Sequence, residues 1–397
     1  MADAMVEAAT DITMKKVKAA ATEKADAITT RTRKADAAAI TTADAAITTS
    51  SSMKVAVVIL NWNTKDYLER FLPGLISSVH GPDAEVIVAD SASTDGSMEM
   101  MAEKFPQVRR IVLDRNYGFT GGYDRALAQV EAEYYVLINS DIEVPDGWLE
   151  PLVEWMDSHP ECGACGPKLK SWYDRSSFEY AGAAGGKIDR WGYTFCRGRV
   201  LKKVEKDHGQ YDSPADVFWV SGACLVTRSS LWKKHGGLDD RFFAHMEEID
   251  YCWRLQLDGY RISVVPSSEV YHLGGGTLPS TSPWKLKLNF RNNLLMLDNN
   301  LARTFVTDGE SPAKAYRHAR RKILFRMLLD GASAAVYLLT FKKDYFKSVL
   351  EAHREFKALR NGPDVKELEQ WNEKRPQATV RGRFNGSILL GQKDNGI

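Results

Sequence analysis

Tyr134-Tyr-Val-Leu-Ile-Asn-Ser-Asp-Ile-Glu-Val144 is the stretch on which the reading of this chain turns. Tyr134 to Ile138 are apolar or aromatic, as in a strand buried on both faces. Asn139, Asp141 and Glu143 follow at alternate positions, and Pro145 and Gly147 close the segment. At a strand's period of two, that spacing puts three polar side chains on one face. Open α/β sheets bind ligands at the C-terminal edge of their strands, so acid at this point marks a candidate site. Oxygen ligands there suit Mg²⁺ or Mn²⁺, which can bridge to a diphosphate. A strand followed by an acidic turn, with no ligand, accounts for the same residues.

Upstream, the pattern repeats. Val55 to Leu60 is a continuous apolar run broken by Asn61-Trp-Asn-Thr64, and Asp66 to Ser78 has helical apolar spacing. Glu85 to Ala89 is a second buried strand, ending in Asp90-Ser-Ala-Ser-Thr-Asp-Gly-Ser97. Asp95 and Ser97 are placed to cap the next helix. Arg110 to Leu113 is a third strand. A Gly-rich loop, Asp114 to Gly122, precedes a helix near Tyr123–Glu131. This βαβαβ order predicts right-handed crossovers and a doubly wound sheet. The loop at Gly118 lacks the Gly-Lys-Ser/Thr of a P-loop and the spacing of a dinucleotide fingerprint. Its glycines suit close approach of backbone N–H groups to phosphate, or simply a tight helix entry.

Composition narrows the class. The chain has 397 residues and a formal charge of +1, which gives no electrostatic case for nucleic acid. Five cysteines do not form an even framework, and a reducing compartment is expected. Cys162-Gly-Ala-Cys165 has the spacing of a metal or redox pair, but no second pair follows, and the run reads more simply as a small-residue strand. Residues 1–52 repeat Ala, Asp, Ile and Thr without aromatics, so they read as a disordered extension. They lack the apolar core of a signal peptide. Met53 is the expected functional start.

Taken in order, further segments resemble family 2 glycosyltransferases of the GT-A fold, near the rhamnosyltransferase-like branch. Val57-Val-Ile-Leu-Asn-Trp-Asn63 is similar to the family's opening strand, and Val88 to Ser97 to its nucleotide segment. Asn116 to Gly122 resembles its Gly loop, and Leu137-Ile-Asn-Ser-Asp141 stands at its acidic metal position. Val220 to Leu225, Gly237 to Phe243, Glu247 to Arg254 and His272 to Thr277 resemble its acceptor strand, loop, acidic helix and closing His-Gly segment. The resemblance implies a GT-A domain over 53–281 and a C-terminal helical region over 282–397. It implies inverting transfer of a sugar from a nucleotide-sugar donor to a glycan or lipid-linked glycan hydroxyl, in bacterial cell-surface polysaccharide assembly. The implied place is the cytoplasm, at the inner face of the plasma membrane. A non-catalytic nucleotide- or glycan-binding protein on the same shell is the alternative.

Residue by residue, the resemblance implies that Asp90 binds the nucleobase while Asn63 and Asp95 line the nucleotide pocket, with Gly118, Asn139 and Arg291 also on the donor side. Asp141 and His272 would hold Mn²⁺ or Mg²⁺. Glu248 stands at the position of the base that takes the acceptor proton, with Glu247 and Asp250 beside it. The family usually has Asp where this chain has Glu248. The same three acids also suit the N-terminus of a helix. Trp219 and Gly222 are the acceptor-side candidates. Asn139 replaces the first acid of the metal motif, and Tyr123-Asp124 replaces an Asn-rich pair. Basic residues between Lys314 and Lys322 precede an apolar run to Phe341. Arg326 and Asp330 interrupt that run, so it is either a surface-lying membrane helix or a packed cap rather than a span. From Asn361 a polar, partly exposed tail is expected.

Overall fold

The computed structural model describes residues 53–81, 83–274 and 282–387. The extension at 1–52, the end of the His272–Thr277 segment and the last ten residues, 388–397, lie outside the described residues.

The expected strands form. β1 (Val55–Asn61), β2 (Ala84–Asp90), β3 (Arg109–Val112) and β4 (Tyr134–Ile138) pair in parallel, with β1 between β2 and β4. Helices α1 (Lys65–Ser78), α2 (Ser97–Lys104) and α3 (Gly118–Leu127) connect them. Alternate residues of β1 enter different cores. Ala56 and Val58 belong to one cluster, Val55, Val57 and Ile59 to the other. Burial on both faces explains the unbroken apolar run.

Beyond β4 come β5 (Ile142–Glu143), α4 (Glu150–Ser158) and β6 (Cys162–Ser171). A small second sheet follows: β7 (Gly186–Asp189), β8 (Thr194–Cys196), β9 (Arg199–Val200) and β10 (Lys203–Val204). Then come β11 (Ala215–Asp216), β12 (Cys224–Arg228), α5 (Ser229–His235), α6 (Glu247–Leu257) and β13 (Arg261–His272). The main sheet runs β11-β13-β6-β12-β4-β1-β2-β3, with β5 on β13. β12 is antiparallel to both β4 and β6, which makes β6 and β13 run with the first four strands. The ends of β1, β2, β4 and β13 and the start of β12 therefore meet at one edge.

Among the described residues four helices follow: α7 (Pro283–Thr307), α8 (Pro312–Leu339), α9 (Lys343–Leu359) and α10 (Val365–Lys374). α7 packs against α6, α8 and α9. The tail is partly exposed, as expected, and it is also pinned to the rest of the chain. β14 (Arg383–Phe384) pairs with β7, Arg381 N donates to Gln256 Oε1 (2.7 Å), and Arg383 forms an ion pair with Asp308 (2.6 Å). Among the described residues no helix is long and apolar enough to cross a membrane. All five cysteines are buried and free, and Cys162 and Cys165 lie in β6, as the small-residue strand reading has it.

Candidate active site

At the strand edge, hydrogen bonds join three loops in a chain. Ser140 Oγ donates to Thr64 Oγ1 (2.9 Å), which donates to Asn61 Oδ1 (2.5 Å). Asn61 Nδ2 donates to Asp90 Oδ1 (2.7 Å), and Ser93 N and Oγ donate to the same carboxylate at 2.9 and 2.6 Å. Thr94 N donates to Asn63 Oδ1 (2.8 Å), and Asn63 holds a left-handed φ of 54°. Asp95 Oδ2 accepts from Lys65 N (2.9 Å) and Oδ1 from Ser97 N (3.0 Å). That carboxylate sits at the positive ends of both α1 and α2. The structure thus brings Asn63, Asp90 and Asp95 together. Asn61, Thr64, Ser93 and Ser140 complete the network and were not singled out in the sequence; polar residues at buried strand ends are their only sequence signal.

Two expectations change along this edge. Asn139, Asp141 and Glu143 do not share a face, because β4 stops at Ile138 and a turn intervenes. Glu143 faces away and accepts from Trp172 Nε1 (2.8 Å) and Arg175 (2.6 Å). Asn139 N donates to Ala223 O (3.0 Å), which ties the turn to the start of β12. The glycines after Asn116 lie inside α3 rather than in a loop before it.

Gly118 serves packing rather than a phosphate. Its N donates to Asn116 Oδ1 (2.7 Å), and Phe119 N and Thr120 N donate to Phe243 O (2.7 and 3.2 Å). These donors are already engaged. At φ +73° a Cβ here would meet Phe243 O at 2.5 Å. Gly118→Ala is therefore expected to cost ~2 kcal/mol or more, read as a lower midpoint in urea unfolding. Tyr123 is buried, with its hydroxyl donating to Val58 O (3.2 Å) and Ile138 O (3.1 Å). Asp124 accepts from Leu238 N (3.0 Å), and burial pushes its carboxyl up to about 7.

The pairing of β5 with β13 sets His272 opposite Ile142, next to Asp141. His272 Nε2 lies 3.2 Å from Asp141 Oδ1, and Nδ1 lies 3.4 Å from Glu179 Oε1. Burial opposes the imidazolium, but the two carboxylates overcome it and raise the His272 pKa to about 10. Burial likewise opposes the Asp141 carboxylate, and His272 holds it below its usual range. Among the described residues no group of three or more His, Cys, Asp or Glu gathers as a metal cluster. Two protein donors are the number that a divalent ion would need here if it also bound a substrate diphosphate. Their 3.2 Å separation is close to the ~3 Å octahedral edge implied by metal–oxygen bonds of ~2.1 Å. Entry of an ion would displace the imidazole proton.

A strained loop delivers the acids. Phe243, His245 and Met246 have φ of 64°, 72° and 72°, in the left-handed region that such side chains avoid. α7 holds them there. Asn292 Nδ2 donates to the carbonyls of Phe242, Ala244 and His245 (2.9, 2.8 and 2.8 Å). Arg291 donates to Arg241 O (3.1 Å) and Phe242 O (2.8 Å) and pairs with Glu355 (2.8 Å). Arg291 is buried and engaged, which overturns its reading as a phosphate ligand.

Glu247 and Glu248 open α6, and each keeps one buried carboxyl oxygen without a hydrogen-bond partner. Burial, then the charge of Glu248, raises Glu247 well above the usual carboxylate range; burial lifts Glu248 to about 7. Two neighbouring acids under such burial ionise in succession rather than together. Gly222 borders Glu248: a Cβ on it would lie 3.6 Å from Glu248 Cβ and 3.4 Å from the Phe119 ring. Since Ala223 bonds Asn139, the acid pair and the Asp141 turn share the start of β12.

Asp250 does not join the pair. It is fully buried, and its oxygens accept from Arg254 Nε (2.8 Å), Asn299 Nδ2 (2.9 Å) and Asn300 Nδ2 (2.7 Å). It anchors α6 to α7. Asp250→Ala is expected to cost ~3–5 kcal/mol, read as a lower midpoint of chemical unfolding, with nucleotide affinity retained in the folded fraction. Trp219 also leaves the site. Its ring is buried on Gly186, where a Cβ would come within 1.9 Å, and its Nε1 donates to Lys187 O (3.3 Å).

A doubly wound edge with paired polar strand ends, a carboxylate–imidazole pair and a buried pair of acids has the arrangement of a nucleotide-sugar transferase of the GT-A fold. Residues 56–217 match the model of glycosyl transferase family 2, and the chain is similar to rhamnosyltransferases. It is 28% identical over 231 residues to N-acetylglucosaminyl-diphospho-decaprenol L-rhamnosyltransferase of Mycobacterium tuberculosis (strain CDC 1551 / Oshkosh), covering 54% of this chain and 75% of that one. Rhamnosyltransferase WbbL of Escherichia coli (strain K12) is 23% identical over 252 residues, covering 60% and 91%. Among solved structures, the mannosyltransferase PcManGT of Pyrobaculum calidifontis in complex with GDP-Man and Mn²⁺ gives a TM-score of 0.45 at 16% identity, covering 82% of this chain and 88% of that one.

Proposed function

We propose that the protein transfers a sugar, with inversion, from a nucleoside-diphosphate donor to a hydroxyl of a lipid-linked glycan. The observation that carries this reading is Glu248: a base with an unpartnered oxygen and a pKa near neutrality, beside Gly222 at the ligand edge. Glu248 accepts the acceptor hydroxyl's proton as that oxygen attacks the anomeric carbon. Burial and the charge of Glu248 hold Glu247 well above the usual carboxylate range, which disfavours a second negative charge beside the base. Asp90, Asn63 and Asp95 hold the nucleotide loops in register. Asp141 and His272 would hold a divalent ion, which when bound offsets charge on the departing diphosphate. The relative named for N-acetylglucosaminyl-diphospho-decaprenol supports the reading of a lipid-linked acceptor, and with it work in polysaccharide assembly at the inner face of the plasma membrane.

The test is calorimetric titration with UDP, dTDP and GDP, first with Mn²⁺ and then with excess chelator. The expected outcome is metal-dependent binding of one nucleotide. Binding that ignores the chelator would remove the ion from the mechanism. If the folded chain binds none of the three, it is a non-catalytic protein on a GT-A shell.

A further inference from the structure

α8 is patterned inside out. Its inward face carries Ala315, Ala319, Ile323, Arg326, Asp330 and Ala334. Arg326 pairs with Asp330 (2.9 Å), donates to Asn293 Oδ1 (2.8 Å) and covers the Tyr193 ring (3.7 Å to its centroid), so the two charges that interrupt the apolar run point into the protein. The outward face is the apolar one. Leu324, Leu328, Val336 and Leu339 are 60%, 64%, 57% and 77% exposed, and Phe341 in the turn to α9 is 87% exposed. Leu324, Leu328, Ala332 and Val336 follow at steps of four, so they form one stripe opposite the buried face. A contiguous apolar stripe of this kind on a folded surface needs a cover.

The charge around the stripe selects what covers it. Arg317 and Arg321 lie on the same face one and two turns before Leu324, and Lys342, Lys343 and Lys347 follow its far end; all five are exposed. Residues 313–347 hold nine Lys and Arg against two Asp, a net +7, whereas the whole chain carries +1. A two-fold pairing of this face with a second copy would set basic ends against basic ends. An anionic lipid surface suits both the stripe and its flanks.

We propose that the outer face of α8 and the turn at Phe341 seat the protein on an anionic membrane, with Leu328, Leu339 and Phe341 entering the interface and the flanking lysines and arginines at the headgroups. The sequence-based expectation is a basic stretch beside an apolar one, lying on a membrane surface or packed as a cap; within the basic stretch Arg320 pairs with Asp298 (3.0 Å) and Lys322 donates to Arg190 O (3.1 Å), while Arg317 and Arg321 stay exposed. The use of such a seat, bringing the site to a lipid-linked acceptor, rests on the function proposed above; the surface itself does not.

Co-sedimentation of the full chain with vesicles of phosphatidylcholine containing about 30 mol% phosphatidylglycerol tests it, against vesicles of phosphatidylcholine alone. The expected result is binding to the anionic vesicles, weakened at least about tenfold by Leu328→Glu/Leu339→Glu/Phe341→Glu and, separately, by Lys342→Glu/Lys343→Glu. These side chains are exposed, so both variants should keep the wild-type circular dichroism. Equal binding by wild type and folded variants, or no binding at all, overturns the proposal. So does a concentration-dependent dimer in sedimentation equilibrium that the triple variant abolishes without any vesicle binding by wild type. Nucleotide titration of the same variants keeps the two questions apart: vesicle binding without nucleotide binding sinks the enzyme reading alone, and nucleotide binding without vesicle binding sinks the seat alone.

Discussion

Glu248→Gln is expected to lower sugar transfer by about 10²–10⁴-fold while nucleotide affinity stays at the wild-type value. The amide keeps the shape and much of the hydrogen bonding of the side chain but cannot accept the hydroxyl proton. Steady-state transfer and calorimetric nucleotide binding on the same preparation are the measurements. Unchanged transfer would exclude Glu248 as base and leave Glu247 as its substitute. The pH profile carries the same argument. Burial lifts Glu248 to about 7, so below that pH the carboxyl is increasingly protonated and cannot act as base. The rate should therefore fall by about tenfold per pH unit on the acid side of 7, and level off above it. Glu248→Asp should retain part of the activity, since it keeps the carboxylate and shortens its reach by one methylene.

Asp141→Asn is expected to lower transfer at least about a hundredfold and to abolish the response of nucleotide binding to Mn²⁺. The substitution removes the charged oxygen that faces His272 Nε2 across 3.2 Å and leaves the imidazole with Glu179 as its remaining acidic neighbour. Nucleotide titrations with and without Mn²⁺ separate this outcome from general damage to the pocket. In that case binding in chelator should match the wild type in chelator. A variant that still responds to Mn²⁺ would place the ion elsewhere. Asp141 is buried and its turn is tied to β12 and β13 by backbone hydrogen bonds from Asn139 and Leu273, so the isosteric change should not unfold the edge.

The parallel strands were legible because burial on both faces forces unbroken apolar runs, and β1, β2 and β4 are such runs. The strand edge was legible because each run ends in polar residues. The partners of those residues were not. Arg291, Asp250 and Trp219 are of the right chemical kinds for a phosphate ligand, a catalytic acid and a sugar platform, yet each is consumed by a neighbour distant in sequence. Glycine has low helix propensity, so 118–122 read as a loop; its place in α3 is set by Phe243, which needs the close approach. Glu179, which faces His272, carried no signal beyond its acidity. The outer face of α8 was hidden because a hydropathy pattern does not say which side of a helix faces inward.

The clamp of α7 on the loop before α6 bears on how far this enzyme can be taken apart. The matched family region ends at residue 217, yet the acids proposed for catalysis stand at 247 and 248, and the groups that hold their loop stand at 291 and 292. On the proposed function, catalytic competence is thus distributed along the chain rather than lodged in the matched region alone. A chimaera that grafts the nucleotide half onto another acceptor half must import the amide and guanidinium of the long helix together with the acids, or it will inherit a donor pocket with a disarmed base.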